Sequence, residues 1–325
     1  MACKNVALIT GISGQDGRFL TDYLLSKDYK VYGLTRRIPD ANLKMSPNSK
    51  VSLIEWDYLD FEKLDSLVSS IKPQEFYNLA SFSSGASMFD DTISMIDING
   101  KSVVLILEAI KNSSKSTRFC QASSSELFGN CKESPQNENT PFNPRSPYGA
   151  AKLMAHNMIK IYRDKYGLFA TSAILFNHES PYRDLGFISR KITNGVAKIK
   201  LNKASSLELG NLDAIRDWGY AKDYSIGMWK MLQSEKPEDY VLATGIPHTV
   251  REMCKVAFEY VGLDYQNFVA TSSLDYRPQE QFPLVGDPSK AYKDLGWRSE
   301  TSFEDTIKLM VDFDLELLKS SESAN

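Results

Sequence analysis

The stretch VALITGISGQDGRFLTDYLLS, residues 6–26, decides the fold. Val6–Thr10 is a short apolar run with the length of a buried strand. Gly11, Gly14 and Gly17 follow at even spacing, and the amphipathic run Arg18–Ser26 predicts a helix. Glycine permits a tight reversal between strand and helix and lets a diphosphate approach the backbone. The helix N-terminus adds unpaired N–H groups and a partial positive charge. A plain glycine-rich turn would look alike, but the strand and helix on either side favour dinucleotide binding.

Strand-like and helix-like segments alternate onward from this turn. Val31–Leu34, Val51–Glu55, Phe76–Ala80, Arg118–Ala122 and Phe169–Phe176 read as strands. Asp60–Ile71, Ile96–Asn112 and Tyr148–Tyr166 have helical spacing, with Val103, Leu105, Leu107 and Ile110 on the apolar side of the second. Apolar strands alternating with helices predict an α/β fold, a doubly wound, mainly parallel Rossmann-like sheet covered on both faces. The second half is punctuated by the polar loops HESPYRDLG, LGNLDAIRDWG and SLDYRPQEQFPLVGDPSKA, and Val241–Thr244 reads as one more strand returning to the sheet. The expected division is a dinucleotide-binding unit, residues 1–177 and 219–246, and a smaller α/β substrate unit, residues 178–218 and 247–325.

Composition narrows the function. The 325 residues are 42% hydrophobic and 24% charged, enough for sizeable cores. The net charge of −3 comes with no Lys/Arg block, so nucleic-acid binding has no electrostatic support. No apolar run approaches the roughly 20 residues that span a bilayer. Cys3, Cys120, Cys131 and Cys254 form no CxxC pair and the three histidines are scattered, which argues against a zinc site or disulfide framework and for a reducing cytoplasm.

Chemistry-bearing residues stand at the strand ends. Leu34-Thr35-Arg36-Arg37 follows the second strand, where an acid would read a ribose 2′-hydroxyl. Two guanidinium groups suit a 2′-phosphate instead, so NADP is expected as the cofactor. A solvated basic turn is the plainer reading. Asp57 is placed to meet adenine or to cap its strand end. Tyr148 and Lys152 are spaced i, i+4 and so share a helix face. A nearby ammonium favours tyrosinate and would lower the phenol pKa, making a base for a sugar or alcohol hydroxyl as hydride leaves for nicotinamide. Gln121-Ala-Ser-Ser-Ser-Glu126 begins as a strand and breaks into a polar turn. It is either a helix cap, or Ser124 binds the substrate hydroxyl and Glu126 serves as acid and base.

With these residues in hand, the chain resembles the extended short-chain dehydrogenase/reductases, and more closely the GDP-mannose 4,6-dehydratase family. The likeness runs roughly from Val6 to Asp314. It is carried by ALITGISGQDG, GLTRR, FYNLAS, QASSSELFG, TPFNPRSPYGAAK, ILFNHESPYR, SRKIT, LGNLDAIRDWGYAKDY and YRPQEQFPLVGDPSKAYKDLGW. The resemblance implies a hydro-lyase that oxidises a sugar at C4, eliminates water across C5 and C6, and returns the hydride to C6. It implies catalytic Ser124 (a threonine in the family), Glu126, Tyr148 and Lys152. Cofactor contacts would come from Gly11, Gly14, Gln15, Asp16, Gly17, Arg36, Asp57, Leu79, Ala80, Tyr148, Lys152 and His178. Contacts to the GDP-sugar would come from Asn177, Glu179, Lys191, Arg216, Arg277 and Glu280. No metal is implied. The family's helices corresponding to Ile96–Asn112 and Tyr148–Tyr166 form a dimer interface, so a homodimer is expected.

Departures from the family fall in three places. Its stretch NLAAQSHV reads NLASFSSGAS here, placing Phe82 and Gly85 near the nicotinamide and the sugar. Tyr182 and Asp184 replace Arg and Gly after HESP. The segment IPDANLKMSPNSK lacks the arginine-bearing insert that joins dimers into tetramers. A variant hexose or a GDP-heptose therefore stays open as substrate. A C4 epimerase or 4-keto reductase would keep Tyr148 and Lys152 without needing Glu126. A cofactor-bound scaffold without turnover would be expected to lack Tyr148 or Lys152.

Overall fold

Strand β1 (Val6–Thr10) is enclosed on both faces: Ala7 and Ile9 face one core layer and Leu8 the other. In the computed structural model, which describes residues 5–38, 51–82, 91–271 and 282–322, strands and helices follow one another along the chain. It runs α1 (Gln15–Ser26), β2 (Lys30–Thr35), β3 (Val51–Glu55), α2 (Phe61–Ile71), β4 (Glu75–Asn78), α3 (Thr92–Ile96), α4 (Ser102–Ser113), β5 (Arg118–Ala122), α5 (Pro147–Tyr166) and β6 (Ala170–Leu175). Then come β7 (Asn177–Glu179), α6 (Ile188–Lys200), β8 (Leu207–Leu209), β9 (Ile215–Tyr220), α7 (Ala221–Gln233), β10 (Tyr240–Leu242), β11 (Pro247–Thr249), α8 (Val250–Tyr260), β12 (Val269–Thr271), α9 (Ser289–Leu295) and α10 (Phe303–Glu322).

Seven strands form one parallel sheet in the order β10-β6-β5-β4-β1-β2-β3. Leu20 and Leu24 of α1 and Tyr224, Met228 and Met231 of α7 cover one face. Leu64 and Val68 of α2, Val103, Ile106 and Ile110 of α4, and Ile159 of α5 cover the other. Strand order reverses between β1 and β4, and ligands of such sheets bind in the crevice beyond the strand ends at that point. The strand expected at Val241–Thr244 does rejoin the sheet, as β10 on the edge beside β6.

A separate apolar core lies in the second half, where Ile192, Val196, Trp218, Met253, Phe258, Ile307 and Val311 meet. Strands β7, β9 and β11 make a small sheet there, with β11 antiparallel to β9. The buried Arg190–Asp314 ion pair, at 2.5 Å, joins α6 to α10. Among the described residues no helix is long and apolar enough to cross a membrane.

One expected element breaks. The apolar spacing predicts a single helix over Ile96–Asn112, but α3 ends at Ile96, and Asp97–Lys101 forms a π-helical turn before α4. The spacing continues through this turn, so periodicity does not reveal it. Helix α1 begins three residues earlier than expected, with Gly14 as its N-cap.

Candidate active site

The glycine turn is built for close approach. Gly11 has φ +68°, and a β-carbon on it would stand 2.7 Å from the Ala80 nitrogen at the end of β4. A β-carbon on Gly17 would stand 2.5 Å from the Gly11 carbonyl oxygen. Gly14 caps α1 with no side-chain hydrogen bond, so no side chain occupies the helix N-terminus. Such first-turn N–H groups have no partner within the helix and are suited to an anion. A cradle that any β-carbon would fill fits the diphosphate of a dinucleotide. Leu79 and Ala80 form its far wall, where the Ala80 N–H donates to Thr10 Oγ1 at 3.1 Å.

At the neighbouring strand ends, Arg36 is exposed and its guanidinium lies 5.5 Å from the centre of the Tyr58 ring. Asp57 is also exposed, and its Oδ1 accepts from the Leu59 N–H at 3.1 Å, so it caps the turn after β3.

The turn after β5 and the start of α5 bring the reactive groups together. Ser146 caps α5 by accepting from the Gly149 N–H at 3.1 Å, and Pro147 occupies the first helical position. Tyr148 thus sits in the first turn and Lys152 one turn on. Ser124 caps the short 3₁₀ turn Ser125–Leu127, accepting from the Glu126 N–H at 3.2 Å. The Ser124 and Ser81 hydroxyls both meet the Tyr148 phenol. Glu126 Oε2 is enclosed and has no hydrogen-bond partner among the described residues, while Arg145 Nε stands 3.9 Å from it.

The electrostatics differ from the expectation at one point. Burial pushes the Tyr148 phenol above its ordinary value; hydrogen bonding from Ser124 and Ser81 and the charge of Arg183 oppose this, while Glu126 adds to it. Lys152 stands beside the same phenol. The lysine is buried, donates to the Ala122 carbonyl at 2.8 Å, and its Nζ lies 5.7 Å from the Tyr148 ring centre. Burial depresses the Lys152 ammonium to about 8, with the Asp16 charge opposing.

Several residues expected at the cofactor brace the turn itself. His178 Nε2 lies 3.1 Å from both carboxylate oxygens of Asp16, and its Nδ1 is 2.7 Å from the Phe176 carbonyl. Gln15 donates to the His178 carbonyl at 2.9 Å and accepts from Ser180 Oγ at 2.7 Å. These contacts fasten the start of α1 to β7. Glu179 is buried, accepts from Ser189 Oγ and pairs with Arg183 Nε at 3.1 Å. Arg183, whose guanidinium also stacks 3.6 Å from the Phe187 ring centre, is a cation at the site that motif reading misses. Its spacing of four from Glu179 is the available signal. Motif reading misses Ser81 too, because its contacts are set by the tertiary fold.

On the substrate side, Asn177 opens β7 opposite Trp218, Lys191 lies in the first turn of α6, and Arg216 lies on β9. Buried Asp217 accepts from the N–H groups of Thr244, Gly245 and Gly286, which draws the segment around Leu284 against Arg216. Arg277, Glu280 and Gly85 lie outside the described residues. Tyr182 packs 5.4 Å from Phe19, with the Arg18 guanidinium 4.8 Å from its ring centre, and Asp184 Oδ1 accepts from the Gly186 N–H.

Comparison with known proteins joins this geometry to a family. The profile of the GDP-mannose 4,6 dehydratase family matches residues 8–310. The chain belongs to that family. GDP-mannose 4,6 dehydratase 2 of Arabidopsis thaliana is 45% identical over 330 residues, covering 97% of this chain and 88% of that relative. The GDP-mannose 4,6 dehydratase of Homo sapiens is 41% identical over 350 residues, covering 99% and 94%. Among solved structures, UDP-glucose 4-epimerase from Thermotoga maritima superimposes with a TM-score of 0.86 at 22% identity, covering 96% of this chain and 99% of that one. At that identity the likeness is one of fold. Within the GDP-mannose 4,6 dehydratase family, the assignment of chemistry rests on the side chains around Tyr148.

Proposed function

We infer that the protein is an NADP-dependent hydro-lyase that converts GDP-mannose to GDP-4-keto-6-deoxymannose. Family membership supports the reaction, and one observation carries it at the site: Glu126 holds an enclosed carboxylate oxygen without a hydrogen-bond partner among the described residues, two residues from the serine that meets Tyr148. Epimerisation or keto reduction needs only the tyrosine and lysine. Water elimination needs a second acid/base, and Glu126 supplies it.

Residues 1–177 and 219–246 bind the cofactor, and residues 178–218 and 247–325 bind the nucleotide sugar. Gly11, Gly14 and Gly17 hold the NADP diphosphate on a turn braced by Gln15, Asp16 and His178, with Leu79 and Ala80 beside it. Arg36 serves the 2′-phosphate and Asp57 the adenosine end. Bound there, NADP would supply the hydride acceptor for C4 and the hydride donor for C6. Tyr148 takes the proton of the C4 hydroxyl while Ser124 orients that hydroxyl and Lys152 supplies positive charge. The C4 ketone acidifies the C5 hydrogen. Glu126 removes it as a proton and passes it to the departing C6 hydroxyl, which leaves as water. Tyr148 then returns its proton to C5, so both residues end as they began. Asn177, Lys191, Arg216, Arg277 and Glu280 serve the GDP-sugar, and Glu179 acts there with Arg183.

The protein works as a cytoplasmic homodimer. Ile93 is 76% exposed, and Ile96, Met154 and Ile161 are also exposed, on the packed helices α3 and α5. A second copy covers this apolar face. Four cysteines without a CxxC pair suit a reducing compartment.

Incubation with GDP-mannose and NADP⁺ in heavy water, followed by mass spectrometry, tests the reading. The expected product has lost one water and carries deuterium at C5. Unchanged GDP-mannose overturns the substrate, and a product of unchanged elemental composition overturns dehydration.

A further inference from the structure

Gln136 is fully buried, in the loop between the 3₁₀ turn Ser125–Leu127 and α5. It grips residues 283–287 through both backbone and side chain. Its N–H donates to the Val285 carbonyl at 2.8 Å, and its carbonyl accepts from the Asp287 N–H at 2.8 Å. Its Oε1 accepts from the Val285 N–H at 3.0 Å, and its Nε2 donates to the Pro283 carbonyl at 3.1 Å. Nε2 also donates to the Glu133 carbonyl at 2.6 Å, which ties the amide to its own loop. A backbone N–H only donates and a carbonyl only accepts, so these partners fix which end of the amide is oxygen.

Strand β9 holds the same segment from the other side. Asp217 Oδ2 accepts from the Gly286 N–H at 3.2 Å, and Leu284 pairs with Arg216 in a parallel bridge. A β-carbon on Gly286 would stand 2.3 Å from the Ala243 β-carbon and 2.8 Å from the Phe176 ring. A slip of two residues either way would put Leu284 or Pro288 where only glycine fits, so the register is fixed. Leu284 is buried in the same apolar cluster as Leu127 and Phe128, the two residues that follow Glu126. One short segment thus touches the turn of Glu126 on one side and the strand of Arg216 on the other.

We propose that Gln136 is a positioning residue for the nucleotide sugar: by fixing segment 283–287 it holds Arg216 at a set distance from Glu126. The proposal rests on the reading in which Arg216 serves the GDP-sugar and Glu126 the chemistry at C5 and C6. Gln136 acts through Leu284 and Gly286 rather than by contact with the sugar. Without its side-chain bonds the segment would hold the binding spacing only part of the time, and apparent affinity falls by that fraction. Saturating sugar restores the spacing, so the loss belongs in KM. The glycine turn is braced by β7 instead, so NADP affinity should not follow. By linkage, a segment that strengthens GDP binding is itself steadied by GDP.

GDP alone is the probe, with its affinity read by calorimetry on the NADP⁺-loaded protein. Gln136→Met keeps the length of the side chain and removes its hydrogen bonds. It is expected to weaken GDP about tenfold and to raise KM for GDP-mannose alike, with kcat and NADP⁺ affinity within about twofold of wild type. In the unaltered protein, amide hydrogen exchange at Val285 and Asp287 should slow on adding GDP and not on adding NADP⁺, a measurement that needs no variant to fold. A Gln136→Met protein that melts earlier yet binds GDP like wild type would make Gln136 a packing residue and overturn the proposal. Exchange at Val285 and Asp287 that GDP leaves untouched would overturn it as well. A wild-type protein that does not bind GDP overturns the nucleotide-sugar reading and the proposal together, whereas normal GDP binding with an unmoved Gln136→Met overturns the proposal alone.

Discussion

A β-carbon on Gly149 would stand 2.6 Å from the Glu126 carbonyl oxygen. The residue after the proposed base therefore touches the backbone of the proposed acid/base, and hydrogen is the only side chain that fits. Gly149 sets the separation between the two reactive segments. Gly149→Ala must push α5 away from the 3₁₀ turn. Displacements near 1 Å cost about 10²-fold in rate, so kcat should fall by that order. Bound cofactor, read by its fluorescence, should be retained. Full turnover in this variant would show that the spacing is not critical.

The two proton-transfer groups separate by where each variant stops. Tyr148→Phe removes the base for C4 oxidation. Turnover should fall by about 10²–10⁴-fold, with NADP still bound and no reduced nicotinamide appearing. Glu126→Gln leaves C4 oxidation intact and blocks removal of the C5 proton. Reduced nicotinamide should then accumulate on adding GDP-mannose, seen by its near-ultraviolet absorbance, with no deuterium entering C5. Wild-type turnover in Glu126→Gln would move the assignment toward an epimerase or keto reductase.

The Asp16–His178 pair ties the glycine turn to β7 and carries its own pH signature. Burial alone would raise the Asp16 carboxyl, but the charge and hydrogen bond of His178 hold it below its ordinary value. Burial alone would lower the imidazole, but Asp16 raises it. The Asp16 contribution to stability is present above the ordinary carboxyl range and is lost as pH falls. The His178 contribution is full below its unfolded value of about 6.5 and is lost as pH rises through its folded value. His178→Gln should therefore lower Tm most between about pH 4 and 6.5, with the gap closing at higher pH. An equal loss at all pH values would assign His178 to packing alone, through its stacking on Tyr224.

What is legible in the sequence is local. The strand at Val6–Thr10, the glycine turn, and the pairing of Tyr148 with Lys152 are each written within a few residues. Long-range relations are not. Asn99 reaches Ser81 and Phe82 across a loop, and its π-helical turn hides inside a continuous apolar spacing. Asp217 gathers Thr244, Gly245 and Gly286, 27 to 69 residues away. The Tyr148 environment escapes the sequence for the same reason: spacing brings an ammonium near a phenol, but enclosure by the tertiary fold decides which effect wins. Arg183 lies inside the motif ILFNHESPYR, but the motif does not say which groups a loop-borne charge will face, and its i, i+4 spacing from Glu179 is the one local signal.

Lys152 gives the last prediction, since its burial opposes stability. Its folded value is about 8, against an ordinary 10.5. Between those values the folded chain binds fewer protons than the unfolded chain, so this group makes stability rise with pH across that window. Below about pH 8 the charged lysine is held in a site that disfavours it, a cost on the order of 3 kcal/mol. Lys152→Met removes the titration and loses the bond to the Ala122 carbonyl, which returns about 1 kcal/mol of that gain. The variant should be inactive yet more stable than wild type by about 2 kcal/mol at neutral pH. Its advantage should shrink steadily as pH climbs from 8 toward 10.5, followed by denaturant unfolding at each pH. A stability difference that does not vary with pH would mean that the ammonium is solvated in the folded protein.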